Sequence, residues 1–127
     1  MNTAGVESTL AIPPKTQGSG SSVNGGELLF LALATCYCND IYREAAKRGI
    51  AVDGVDVSVS GDFDDAGTAR GVTYRAKIAS KSDRNAVLEL ARHVDEIAEI
   101  HRALRGGTRV EFAGAEIVAE ASPQERP

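Results

Sequence analysis

Cys36 and Cys38 are the only two thiols of the chain, and they close the apolar run Glu27-Leu-Leu-Phe-Leu-Ala-Leu-Ala-Thr-Cys-Tyr-Cys38. Four chemistries are open to such a pair: a redox couple, metal ligands, one reactive thiol beside a bystander, or two small core hydrophobes. In a regular helix each residue turns about 100°, so these side chains point about 200° apart. A disulfide needs converging Cβ vectors, and an internal Cys36–Cys38 bridge would therefore require local unwinding. Two thiolates on opposite faces cannot share one ion. His93 and His101 could add at most two further ligands, so neither a metal site nor a cofactor is expected. A single reactive thiol needs a cation or a helix N-terminus nearby. Cys36 lies too far along its helix for the terminal partial charge to act strongly. The bland alternative is that both cysteines are inert and buried, as free cysteines often are.

The element that must position them is a helix from Glu27 to Arg48. Leu, Ala and Glu dominate its first half and no proline interrupts it. Glu27 suits the first turn, while Lys47 and Arg48 precede Gly49, a good residue for the turn after a helix. Between Leu28 and Cys38 only Thr35 is polar, so this half is expected to be buried on all sides, with a second subunit contributing. Alternation at Val55, Val57 and Val59 predicts a strand within Val52–Gly61, and alternation at Val72, Tyr74, Ala76 and Ile78 predicts another over Val72–Ala79. Asp64-Asp-Ala-Gly67 suits the hairpin connection between them. A second helix is expected from an N-cap at Ser82 towards Leu104, ended by Gly106-Gly107, with a midway break left open. Thr108–Phe112 and Ala115–Val118 read as a last strand or pair, and Thr9–Ile12 as a short first one. The order is α+β with an antiparallel sheet, in a single domain over residues 1–127. Its first 26 residues are partly flexible, and residues 120–127 read as a frayed tail.

Bulk properties fit an ordinary globular chain: 127 residues, 43% hydrophobic, 25% charged, net charge −4. The charge gives no basic field for nucleic acid, and the basic residues are interleaved with acidic ones. The apolar run is too short to span a bilayer, and no secretory leader is patterned. Two cysteines without such a leader point to a reducing cytoplasm.

The segment Asn24-Gly-Gly-Glu-Leu-Leu-Phe-Leu-Ala-Leu-Ala-Thr-Cys36, with a helix ending in Lys47-Arg-Gly-Ile50, resembles the osmotically inducible / organic hydroperoxide resistance (OsmC/Ohr) family. The usual form there is Asn-Pro-Glu-x-Leu-Leu, followed by small and apolar residues up to a cysteine on a central helix. The two Val-rich strands and the run Ala98-Glu-Ile-His-Arg-Ala-Leu-Arg-Gly106 follow the family's order of elements. The likeness covers about residues 20–118. It implies an intertwined homodimer of α+β subunits whose helix cysteine attacks a small organic hydroperoxide.

Carried over residue by residue, the attacking cysteine falls on Cys36. The family's glutamate ten positions earlier falls on Gly26, with Glu27 beside it. The resolving cysteine of Cys-Pro-x-Ser falls on Ala98, and the last position of that motif on His101. No arginine precedes Arg43, so the family's N-terminal arginine has no counterpart; Lys15 is the only cation in that stretch. The chain keeps the nucleophile position and lacks the residues that activate and resolve it.

Two readings follow. One is a divergent thiol peroxidase with Cys36 as nucleophile and Cys38, Glu27 and His101 in supporting roles. The other is a non-catalytic dimer that binds a small apolar ligand or is purely structural. For the supporting residues the plainer readings are a solvated surface histidine at 101 and an ordinary first-turn carboxylate at 27. Tyr37 and Tyr42 are most simply core or interface aromatics, and Asp62-Phe-Asp-Asp65 a solvated turn.

Overall fold

The computed structural model describes residues 1–118; the tail expected to fray, 120–127, lies outside the described residues. Its elements are β1 (Asn2–Thr3), β2 (Val6–Glu7), α1 (Gly25–Arg48), β3 (Gly54–Phe63), β4 (Ala69–Ala79), α2 (Arg84–Ile97) and α3 (Glu99–Arg105). Gly26–Glu111 form one compact unit, and Met1–Gly25 with residues 112–118 belong to the other.

In the larger unit, α1 buries an apolar stripe at four-residue spacing, Leu33, Tyr37, Ile41 and Ala45, with Asp40 and Glu44 buried beside it. Tyr37, Ile41 and Ala45 pack with Leu90 and Val94 of α2, and Val55, Val57, Tyr74 and Ile78 of the hairpin close over this core. Ile41, Leu90 and Val94 are fully buried, each contributing about 1.5–3 kcal/mol of transfer free energy. The expectation of burial on all sides is not met within one chain. The hairpin and α2 cover one side of α1 only, and Leu31 remains 56% exposed.

Both ends of α1 follow the signals in the sequence. Gly49 adopts φ 66°, and the Ile50 amide donates to Ala45 O at 2.9 Å, a closure that needs a left-handed residue between them. Ile50 then joins the core. Strands β3 and β4 pair antiparallel with Val55 opposite Ile78, Val57 opposite Ala76 and Val59 opposite Tyr74, and the register shifts between Ser60 and Asp62. Asp64 Oδ1 accepts from the amides of Ala66 and Thr68 and so shapes the connecting turn.

The second helix begins one residue later than expected. Asp83, not Ser82, is the N-cap, accepting from the Ala86 amide at 3.1 Å. Ser82 instead turns its hydroxyl oxygen to the Ala51 amide. The helix does break midway. Ala98, fully buried, leaves helical geometry at ψ 121°, and α3 restarts at Glu99. Gly106-Gly107 ends α3: the Gly107 amide donates to Leu104 O and the Thr108 amide to Ala103 O, the paired closure that a left-handed glycine allows.

Two expected strands are absent among the described residues. Thr108 spends both its amide and its hydroxyl on Ala103 O, so it caps α3 instead of starting a strand. Residues 108–118 run without a strand partner. In the smaller unit Thr9–Ile12 also lies outside any strand. The pairing there is the tight hairpin Asn2↔Glu7 and Thr3↔Val6. Ala4 and Gly5 form its turn, both at positive φ, the primed geometry that suits two-residue hairpins.

Candidate active site at Cys36

Positions 36, 40 and 43 fall on one stripe of α1 because spacings of four and three residues bring side chains to the same helix face. Cys36, Asp40 and Arg43 accordingly share one cleft of about 610 Å³, whose opposite wall is the α2–α3 junction: Ile97, Glu99, Arg102 and Ala103. The Cys36 thiol is half-buried and donates to Asp40 Oδ2 at 4.0 Å. Asp40 is nearly buried and holds Arg43 Nη2 at 2.8 Å. One turn on, Glu44 gathers Lys47 at 3.0 Å, Arg43 at 3.6 Å and His93 at 3.4 Å. Chiefly through the Lys47 hydrogen bond, its carboxyl is held below the usual range. The cations near the thiol thus come from its own helix and from α3, where the family pattern takes an arginine from the N-terminal strands.

The other residues singled out in the sequence lie elsewhere. Cys38 lines a separate shallow pocket with Ala34, Thr35, Asn39 and Val57. The two sulfurs therefore sit on different walls of an unbroken helix, as the rotation per residue dictates. Glu27 is exposed in the first turn of α1. Tyr42 is largely exposed, whereas Tyr37 is core.

His101 departs from the expectation of a surface residue. In place of a solvated surface residue, the structure has an imidazole only 3% exposed, with neither ring nitrogen hydrogen-bonded. His101 continues the buried series Leu90, Val94 and Ala98, at the four- and three-residue spacings that keep side chains on one helix face. The Tyr74 ring meets the imidazole edge-on at 4.8 Å and the Tyr37 ring lies at 6.1 Å. Burial foremost, and Arg105 next, push the His101 pKa down against the pull of Asp95 and Asp40, which favours the neutral ring. Reasoning from sequence missed Asp40, Arg43 and Arg102. The 36/40/43 spacing was an available signal for the first two, whereas Arg102 depends on the helix break.

A protein-family model described as OsmC-like protein matches residues 18–113. The chain belongs to the OsmC-like family. Among solved structures, this OsmC-like protein is similar to an OsmC-like protein from Mycoplasma pneumoniae, with TM-score 0.63 and 19% identity over 73% of this chain and 68% of that one. It is also similar to an OsmC-like protein of unknown function from Vibrio cholerae, with TM-score 0.47 and 15% identity over 64% of this chain and 58% of that one. A comparison with curated proteins returned no match. The first likeness supports the α+β fold with its antiparallel hairpin and helices.

Proposed function

We propose that this OsmC-like protein is a cytoplasmic, homodimeric thiol peroxidase that reduces small organic hydroperoxides at Cys36. The observation that carries this reading is the placement of a half-buried thiol on the wall of an open cleft, beside Asp40 and with two arginines lining the same space. Homodimerisation is supported by the apolar surface α1 leaves uncovered and by the two-stranded sheet, whose outer edges have no partner strand among the described residues. Such edges and faces are normally covered.

The Cys36 thiol gives its proton to Asp40, and the sulfur attacks the terminal peroxide oxygen. The S–O bond forms as the O–O bond breaks, and the departing alkoxide takes the proton and leaves as an alcohol. Sulfur is oxidised by two electrons to a sulfenic acid, and the peroxide is reduced by the same two. Arg43 and Arg102 offset the negative charge that develops on the leaving oxygen. Ala98 stands where the family places a resolving cysteine, and Cys38 faces another pocket, so resolution falls to a low-molecular-weight thiol. That thiol condenses with the sulfenic acid and releases water, and a second thiol restores Cys36.

A second reading, a non-catalytic dimer with a structural or apolar-ligand-binding role, draws on Asp40. Its carboxylate sits beside the sulfur and repels a thiolate, offset only by the arginines. Consumption of tert-butyl hydroperoxide in the presence of dithiothreitol decides between them. Peroxidase turnover that disappears in Cys36→Ser is expected; a rate indifferent to that substitution ends the first reading.

A further inference from the structure

A second cavity, of about 300 Å³, lies on the other side of α3 and is lined by Leu29, Phe30, Leu33, Val72, Tyr74 and Leu104, with His101 and Arg105 as polar members. We infer that this cavity is a binding site for a small uncharged aromatic alcohol, a phenol, whose hydroxyl pairs with His101 and whose apolar body fills the space between α1, β4 and α3. The inference concerns a different cavity from the Cys36 cleft and stands whether or not Cys36 turns over peroxide.

Three observations carry it. His101 is more than nine-tenths buried, lines the cavity, and has no hydrogen-bond partner at either nitrogen. Buried polar groups are normally paired, so an imidazole held this way calls for a ligand that supplies the missing bond. A neutral imidazole has one donor and one acceptor nitrogen. A hydroxyl can meet either of them in either tautomer, whereas a carbonyl or ether can meet only the protonated one.

The second observation is charge. Arg105 is the only charged side chain among the lining residues, and its guanidinium is already engaged by Asp95, at 2.8 Å to Oδ1. The cavity therefore has little net charge to offer an anion, which favours an uncharged occupant. The third is shape and lining. At the roughly 30 Å³ that a water occupies in the liquid, the volume suits roughly ten heavy atoms. The rings of Phe30 and Tyr74, together with the aliphatic Leu29, Leu33, Val72 and Leu104, give an aromatic body both stacking and apolar contact.

The test is an NMR titration of the full chain, with nitrogen-15 in its histidines, at neutral pH. The probe is para-propylphenol; propylbenzene and para-propylbenzoate are the comparators. Expected are saturable binding of the phenol, a shift of the His101 ring nitrogens, and at least tenfold weaker binding of both comparators. Cys36→Ser should bind the phenol as the wild type does, so loss of the peroxidase reading leaves this one standing. His101→Phe should weaken binding at least tenfold. Val72→Trp, which fills the cavity from its exposed rim, should abolish it. Should His101→Phe not fold, the ring-nitrogen shifts in the wild type and the Val72→Trp result decide. Absence of binding, equal affinity for propylbenzene, tighter binding of the benzoate, or indifference to either substitution would each overturn the assignment.

Discussion

Arg105 reaches back across the helix break at Ala98 and grips Asp95 twice, from Nη1 to the backbone oxygen at 3.1 Å and from Nη2 to Oδ1 at 2.8 Å. The same Oδ1 accepts the Tyr74 hydroxyl. One carboxylate thus ties α2, α3 and β4 together across that break.

Stability should follow the charge of that carboxylate. Burial pushes the Asp95 pKa up, but the hydrogen bonds from Tyr74 and Arg105 outweigh it, and the group ends below the usual carboxylate range. Its contribution is present above the unfolded value of about 3.9 and is lost as pH falls through the lower folded value. Asp95→Asn should cost about 1 kcal/mol at neutral pH, a modest figure because the side chain is 39% exposed and solvent screens it. Urea unfolding of both proteins checks this: the gap should shrink as the pH falls below the unfolded value of about 3.9, and a gap that stays constant with falling pH would contradict it.

At Gly61 an added Cβ would lie 3.0 Å from Val72 Cγ2, 3.1 Å from the Val72 backbone and 3.1 Å from the Phe30 ring. The site is the irregularity between Ser60 and Asp62, where backbone and ring approach closely. Gly61→Ala should destabilise by about 1–3 kcal/mol through overpacking, read as a lower denaturation midpoint. An unchanged midpoint would mean that the bulge relaxes freely.

Much of this fold was legible in the sequence. Gly49 and Gly106-Gly107 marked helix ends because only glycine meets the left-handed turn cheaply, and alternating valines marked β3 because side chains alternate across a strand. What could not be read depends on long-range packing. Ala98 breaks a helix with neither proline nor glycine present, so no local signal marked it. The burial of His101 did have a signal, its spacing from Leu90, Val94 and Ala98, which keeps it on one helix face. Val110 and Phe112 alternate like strand residues, yet Thr108 is consumed in capping α3 and the segment finds no partner strand among the described residues. At the site, Cys36 was legible from the family spacing. Arg102 was not, because its approach depends on where α3 restarts.

Arg102 should matter to turnover if it offsets charge on the leaving oxygen. Arg102→Ala should lower kcat/KM for tert-butyl hydroperoxide roughly tenfold, the equivalent of about 1.4 kcal/mol. The loss should be largely restored by Arg102→Lys. Steady-state kinetics with a dithiol reductant provide the check, and an unaltered rate would remove Arg102 from the mechanism.

The proposed second copy would cover the exposed Leu31 and the strand edges that have no partner strand among the described residues. Light scattering after size exclusion should give twice the mass of the chain, and Leu31→Glu should shift the population towards monomer. A monomeric wild type at micromolar concentration would rule out the dimer.

The most direct measurement traps the oxidised sulfur itself. One equivalent of cumene hydroperoxide is added with dimedone, which captures sulfenic acids, and the labelled peptide is mapped by mass spectrometry. The account predicts stoichiometric labelling at Cys36 and none at Cys38. Labelling confined to Cys38, or no labelling while the peroxide persists, would contradict it.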